Sequence, residues 1–78
     1  MWYVYILKCI DGSHYTGCTS NLKERLIRHQ NGYVHYTKNK SPLKLISYTA
    51  FPDKYKAFNF EKYLKSGSGR AFAQKRLR

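Results

Sequence analysis

The sequence predicts one small α/β domain of the α+β type, a three-stranded antiparallel sheet flanked by helices in the order β-β-α-β-α-α. Three observations predict it. The chain has 78 residues, enough for one domain and too few for two. Two runs rich in aromatic and aliphatic residues meet at an Asp-Gly turn near the N-terminus, and a third follows Pro42. Helix-start and helix-stop residues bracket the segments between and after these runs.

Residues 2–9 carry no polar side chain before Lys8, which reads as a strand buried on both faces and therefore central in its sheet. Asp11-Gly12-Ser13 is a turn, and His14-Tyr15-Thr16-Gly17-Cys18 is the return strand of a hairpin. Ser20 or Asn21 can cap a first helix over residues 21–30. Leu22, Arg25, Leu26 and His29 share one face of it, and Gly32 suits its left-handed exit. Residues 33–41 show no periodicity and read as an exposed basic loop or a short irregular element. Residues 43–51 are a third strand. Asp53 opens a second helix that runs to about Lys65. Ser66-Gly67-Ser68-Gly69 breaks the chain before a short, strongly basic last helix over residues 70–78. That break is too short to separate domains.

Charge narrows the function. Fifteen Lys and Arg face four Asp and Glu, a net charge of +11. Such self-repulsion calls for a polyanionic partner, nucleic acid first, since phosphate contacts dominate non-specific affinity. An anionic membrane surface would need a basic amphipathic helix, and only the last ten residues resemble one. No stretch approaches the ~20 apolar residues of a membrane helix, and the apolar N-terminus lacks a basic leader region. A cytoplasmic location without membrane contact is expected. Two cysteines, Cys9 and Cys18, are too few for a four-ligand zinc site and are expected to be reduced thiols. Arg28, Lys38, Lys40, Arg70, Lys75 and Arg76 are the candidate phosphate contacts, on charge alone, against the plainer reading of a solvated basic surface.

A few residues sit where a core would not choose them. Glu61 falls on the stripe of Ala57, Phe60 and Leu64 in the second helix. A carboxylate there needs a cation, either a basic side chain or a metal ion such as Mg²⁺. Arg25, half-sheltered, suits bidentate phosphate binding or simple snorkelling. His29, on the same face, can exchange a proton near neutral pH or serve as a boundary residue. Tyr5 and Tyr15 taken singly are ordinary strand residues. Gly17 leaves room for close approach of a backbone or a substrate.

Their register gives a pattern. Tyr5, Tyr15 and Arg25 are spaced by ten residues each, His29 follows by four, and one acidic residue lies on a later helix. With Tyr3-Val4-Tyr5, Tyr15-Thr16-Gly17, the run from Asn21 to His29 and the segment Phe60 to Arg70, the sequence resembles the GIY-YIG nuclease superfamily, particularly its small stand-alone bacterial members. The resemblance spans nearly the whole chain. It implies that Tyr5, Tyr15, Arg25 and His29 are catalytic-site residues and that Glu61 is the metal-binding glutamate. Tyr3 stands where the family's first motif opens with Gly, and Thr16 stands where its second motif has Ile. Cys18 occupies a place where some relatives carry Lys. The asparagine that often follows the metal glutamate has no counterpart, with Ser66, Ser68 and Gln74 the nearest offers.

The implied chemistry is a one-metal phosphodiester hydrolysis, on DNA ahead of RNA, with Mg²⁺ or Mn²⁺ at Glu61. Arg25 neutralises the transition state, and Tyr5, made more acidic by surrounding cations, activates water with help from Tyr15 or His29. The base is open among those three. Two rivals stand beside it. The missing asparagine suggests a weak or inactive nucleic-acid-binding module, and the lack of a targeting domain suggests a subunit that cuts only with a protein partner supplying specificity.

Overall fold

The computed structural model describes residues 1–78. Strand β1 spans Trp2–Lys8, β2 His14–Thr19 and β3 Lys44–Phe51. Helix α1 spans Leu22–Gln30, α2 Lys54–Leu64 and α3 Gly67–Arg76, with a short 3₁₀ turn at His35–Thr37. The sheet order is β2-β1-β3 and both pairings are antiparallel. The apolar β1 is central, as its composition predicts. Val4, Ile6 and Leu7 are all buried.

Alternation along β1 assigns the two faces of the sheet. Val4 and Ile6 face α2 and α3 and form the main core with Ala57, Leu64 and Ala73, bordered by Trp2, Ile46, Phe51 and Phe60. Tyr3 and Tyr5 face the opposite way, toward α1. Strand β3 carries an extra residue against β1: Ile6 pairs with Ser47 but Leu7 pairs with Leu45. This bulge sends Ile46 to the core.

Each helix begins on a side-chain cap. Asn21 Oδ1 accepts from the Glu24 amide at 3.1 Å and Asp53 Oδ1 from the Tyr55 amide at 2.8 Å. Ser66 Oγ accepts from the Gly69 amide at 3.2 Å and donates to the Tyr63 carbonyl at 2.6 Å. The Ser-Gly stretch is therefore the first turn of α3 and not a break before it, which moves the start of that helix from Arg70 to Gly67. The physical reason is close packing. A Cβ at Gly69 would collide with the Tyr63 carbonyl, so the last turn of α2 and the first of α3 abut backbone to backbone. No helix is long and apolar enough to cross a membrane.

Candidate active site

The site begins with one register fact: Tyr5 pairs with Gly17 across the hairpin. A Cβ at Gly17 would collide with the Tyr5 hydroxyl and the adjoining ring carbon. Glycine lets the phenol cross β2 toward the outer edge of the sheet. There its hydroxyl meets His29 Nε2 at 2.7 Å. His29 reaches it because α1 lies over this face with its last turn above Tyr15, the rings of Tyr15 and His29 being 4.9 Å apart at 63°. Tyr5 and His29 are both fully buried.

His29 is held from its other side as well. Its Nδ1 lies 2.8 Å from Thr37 Oγ1, and the Thr37 hydroxyl donates to the Val34 carbonyl at 3.4 Å. Short bonds at both ring nitrogens hold the imidazole in one orientation. Burial, reinforced by the Arg25 and Arg28 charges, pushes the His29 pKa down to about 4. The ring therefore rests neutral near pH 7.

Tyr5 shifts in the opposite sense. Burial raises its pKa above the ordinary phenol value, the neighbouring Tyr15 adds to this, and Arg25 lowers it without prevailing. The cations were expected to make Tyr5 more acidic. Removal of the phenolate from water outweighs them, so Tyr5 rests protonated.

Tyr15 is half-buried and packs against Tyr5 and Tyr36, with ring centroids 6.2 and 5.4 Å away. It also lines a cleft of about 250 Å³ with His14, Tyr36, Lys65, Arg70 and Arg78. The cleft is cationic: Arg78 and Lys8, after desolvation, help hold the His14 pKa below its usual value. Tyr15 is thus the phenol that faces open space, with Tyr5 behind it.

Arg25 and Glu61 approach the edge strand β2 from opposite faces of the sheet, and Cys18 reports both. Burial first and Glu61 second raise its thiol pKa, while Arg25 and Lys65 lower it. Glu61 is half-buried, and its Oε2 accepts from Lys65 Nζ at 3.2 Å. No group of three or more His, Cys, Asp or Glu side chains gathers in the chain. Cys9 and Cys18 are free thiols.

Tyr5, Tyr15, Arg25 and His29 are therefore brought together, with Glu61 around the edge of β2. Of the six basic candidates, Arg70 lines the cleft beside Tyr15. Lys40 sits over the Tyr36 ring at 4.2 Å and pairs with Asp11 at 3.7 Å, so it is already engaged. Arg28, Lys38, Lys75 and Arg76 are exposed and line neither this cleft nor the larger groove beside α1. Thr37 is fully buried in the segment read as an exposed loop. A single threonine among Lys and Asn gave no sequence signal for that.

The mixed β-β-α-β-α-α domain thus gathers at the edge of its hairpin the two tyrosines, arginine and histidine that the family resemblance singles out. The chain belongs to the GIY-YIG family: the model described as "GIY-YIG catalytic domain" matches residues 1–76. It is similar to a UPF0213 protein of Clostridium perfringens, 47% identical over 66 residues, covering 83% of this chain and 71% of that one. A UPF0213 protein of Cupriavidus pinatubonensis is 38% identical over 78 residues, covering 95% and 87%. The solution NMR structure of a UPF0213 protein from Bacillus halodurans shares the fold, with a TM-score of 0.61 at 40% identity over 96% of this chain and 82% of that one.

Proposed function

We propose that this chain hydrolyses phosphodiester bonds of nucleic acid, DNA ahead of RNA, with Mg²⁺ or Mn²⁺ at Glu61. The observation that carries the reading is the buried Tyr5–His29 hydrogen bond at the hairpin edge, with Tyr15 in front of it and Arg25 beside it. A fully buried phenol bonded to a histidine that is itself held from its other nitrogen is more than packing requires.

The donor set suits the ion. Glu61 is a hard oxygen ligand, half-buried, and its second oxygen makes no hydrogen bond within the chain. Mg²⁺ at phosphate sites is commonly held by one or two carboxylates, with water and substrate oxygens completing its shell. When bound, the ion supplies Lewis-acid polarisation of the phosphate and stabilises the leaving oxygen.

The chain's own residues supply the proton path. Tyr15, at the cleft wall, takes a proton from the attacking water as its own passes to the Tyr5 oxygen. The Tyr5 proton moves to His29 Nε2. Three protons shift and none is lost, leaving hydroxide bonded to phosphorus and an imidazolium held at Nδ1 by Thr37. The low pKa of His29 makes this a transient carrier that returns its proton readily. Arg25 offsets the charge that grows on the phosphorane.

Cleavage of mixed DNA and RNA substrates is measured with Mg²⁺, with Mn²⁺ and with chelator. Glu61→Ala and Arg25→Ala are each expected to lose at least a hundredfold in kcat. Wild-type cleavage by either variant, or cleavage that survives chelation, sinks the scheme. Salt-sensitive binding without metal-dependent turnover would establish the binding-module alternative instead.

A further inference from the structure

A second concavity, of about 460 Å³, lies on the Tyr5 face of the sheet, between it and the start of α1. Its floor is Tyr3 and Tyr48, and its wall is Leu22 and Leu26. The two tyrosine rings meet edge to face at 6.1 Å. Tyr48 is 56% exposed. Ser20, Asn21 and Lys23 complete the lining, and no carboxylate lines the groove. The proposed chemistry uses none of these residues.

We infer that this groove is a stacking subsite for an unpaired nucleobase of the nucleic-acid substrate. Four observations on the molecule favour that occupant. The groove lies on the same face of the sheet as the Tyr5 ring: Tyr48 is the cross-strand partner of Tyr5, and Tyr3 lies two residues from it along β1, roughly 7 Å. The floor offers an exposed aromatic face, which stacks with any base. The lining offers a cation, Lys23, for the attached phosphate and a hydroxyl, Ser20, for a base edge. The net charge of +11 favours an anionic ligand over an apolar peptide or a second copy of this equally cationic chain. A base inside a duplex is already stacked on both faces and cannot enter, so the subsite selects single-stranded, frayed or flipped nucleotides.

The inference rests on the reading of the chain as acting on nucleic acid, and its test is independent of cleavage. Binding is measured by fluorescence anisotropy in chelator, with a labelled single-stranded oligothymidylate and with a blunt duplex of equal length. Tyr48→Ala is expected to weaken single-strand binding on the order of tenfold. Tyr48→Phe, which keeps the ring, should stay within about twofold. Duplex binding should be unchanged in both, as should single-strand binding by Tyr55→Ala, whose tyrosine is exposed on α2 away from the groove. Equal single-strand binding by Tyr48→Ala and the wild type overturns the inference, and so does an equal loss on duplex. Sedimentation of the wild type and Tyr48→Ala runs alongside. A wild-type dimer that the substitution dissociates would show a second copy in the groove and also overturn it. Cleavage assays separate the two readings: a Tyr48-dependent single-strand preference in a chain that does not cut keeps the subsite and removes the nuclease. Metal-dependent cutting indifferent to Tyr48 does the reverse.

Discussion

Two residues decide whether Tyr5 can serve, and neither carries a charge of its own at neutral pH. Gly17 leaves the space that the phenol ring occupies. Gly17→Ala should therefore displace Tyr5 from His29 and lower kcat about a hundredfold, within the range of a lost acid–base group. The far-ultraviolet circular dichroism should stay that of a folded chain, and an active Gly17→Ala would show that the ring position is dispensable. His29 makes a second, pH-dependent statement. Its pKa is near 6.5 in the unfolded chain and about 4 in the fold, so the unfolded state binds more protons between those values. Stability is full above about pH 6.5, falls as the pH drops toward 4, and has lost its share below that. The share is on the order of 3 kcal/mol. Thermal melts from pH 7 to pH 4 should show this loss, and His29→Gln should flatten the profile. An unchanged slope in His29→Gln would assign the acid lability to another group.

Helix α3 is placed by its start. Ser66 satisfies the Gly69 amide and the Tyr63 carbonyl together, and Gly69 lets the two helices touch through their backbones. Helix α3 contributes Ala73 to the core and Arg70 to the cleft beside Tyr15. Gly69→Ala forces a backbone carbonyl to move, and overpacking of this kind costs about 1–3 kcal/mol. Ser66→Ala removes a cap worth about 1 kcal/mol. Urea denaturation should find Gly69→Ala the more damaging of the two. The reverse order would mean that the helix pair tolerates separation. The second helix, α2, shows the limits of a stripe argument. Ala57 and Leu64 are buried as their spacing predicts, but Glu61 on the same stripe is only half-buried. It faces the rim of β2, where Lys65 meets it without full loss of solvent.

The charge of the chain is spread unevenly in use. Lys40 is held by Asp11 and Tyr36, and Lys65 by Glu61, whereas the cleft beside Tyr15 brings His14, Arg70 and Arg78 together with no carboxylate to offset them. An anionic strand lying there releases its counterions. The logarithm of the binding constant should fall linearly with the logarithm of salt concentration. Arg70→Gln is expected to make that slope shallower by about one, as befits a phosphate contact, while weakening all sequences alike. A slope that Arg70→Gln leaves unchanged would move the strand elsewhere. Lys75→Gln, on the exposed part of α3, is the matched comparison.

The order of elements and the central place of β1 are legible in the sequence, because they depend on periodicity along the chain, and the grouping of Tyr5, Tyr15, Arg25 and His29 is what the family resemblance implies. The excess of basic residues is also legible, because it is a sum over residues. Only the tertiary structure decides that Tyr5 rests protonated, since the loss of water around a buried phenolate outweighs cations that a count of charges ranks first. Only it brings Thr37 from a segment without pattern to the far nitrogen of His29, and so holds the ring in one orientation. Burial and long-range contact are properties of the folded chain, and no local spacing encodes them.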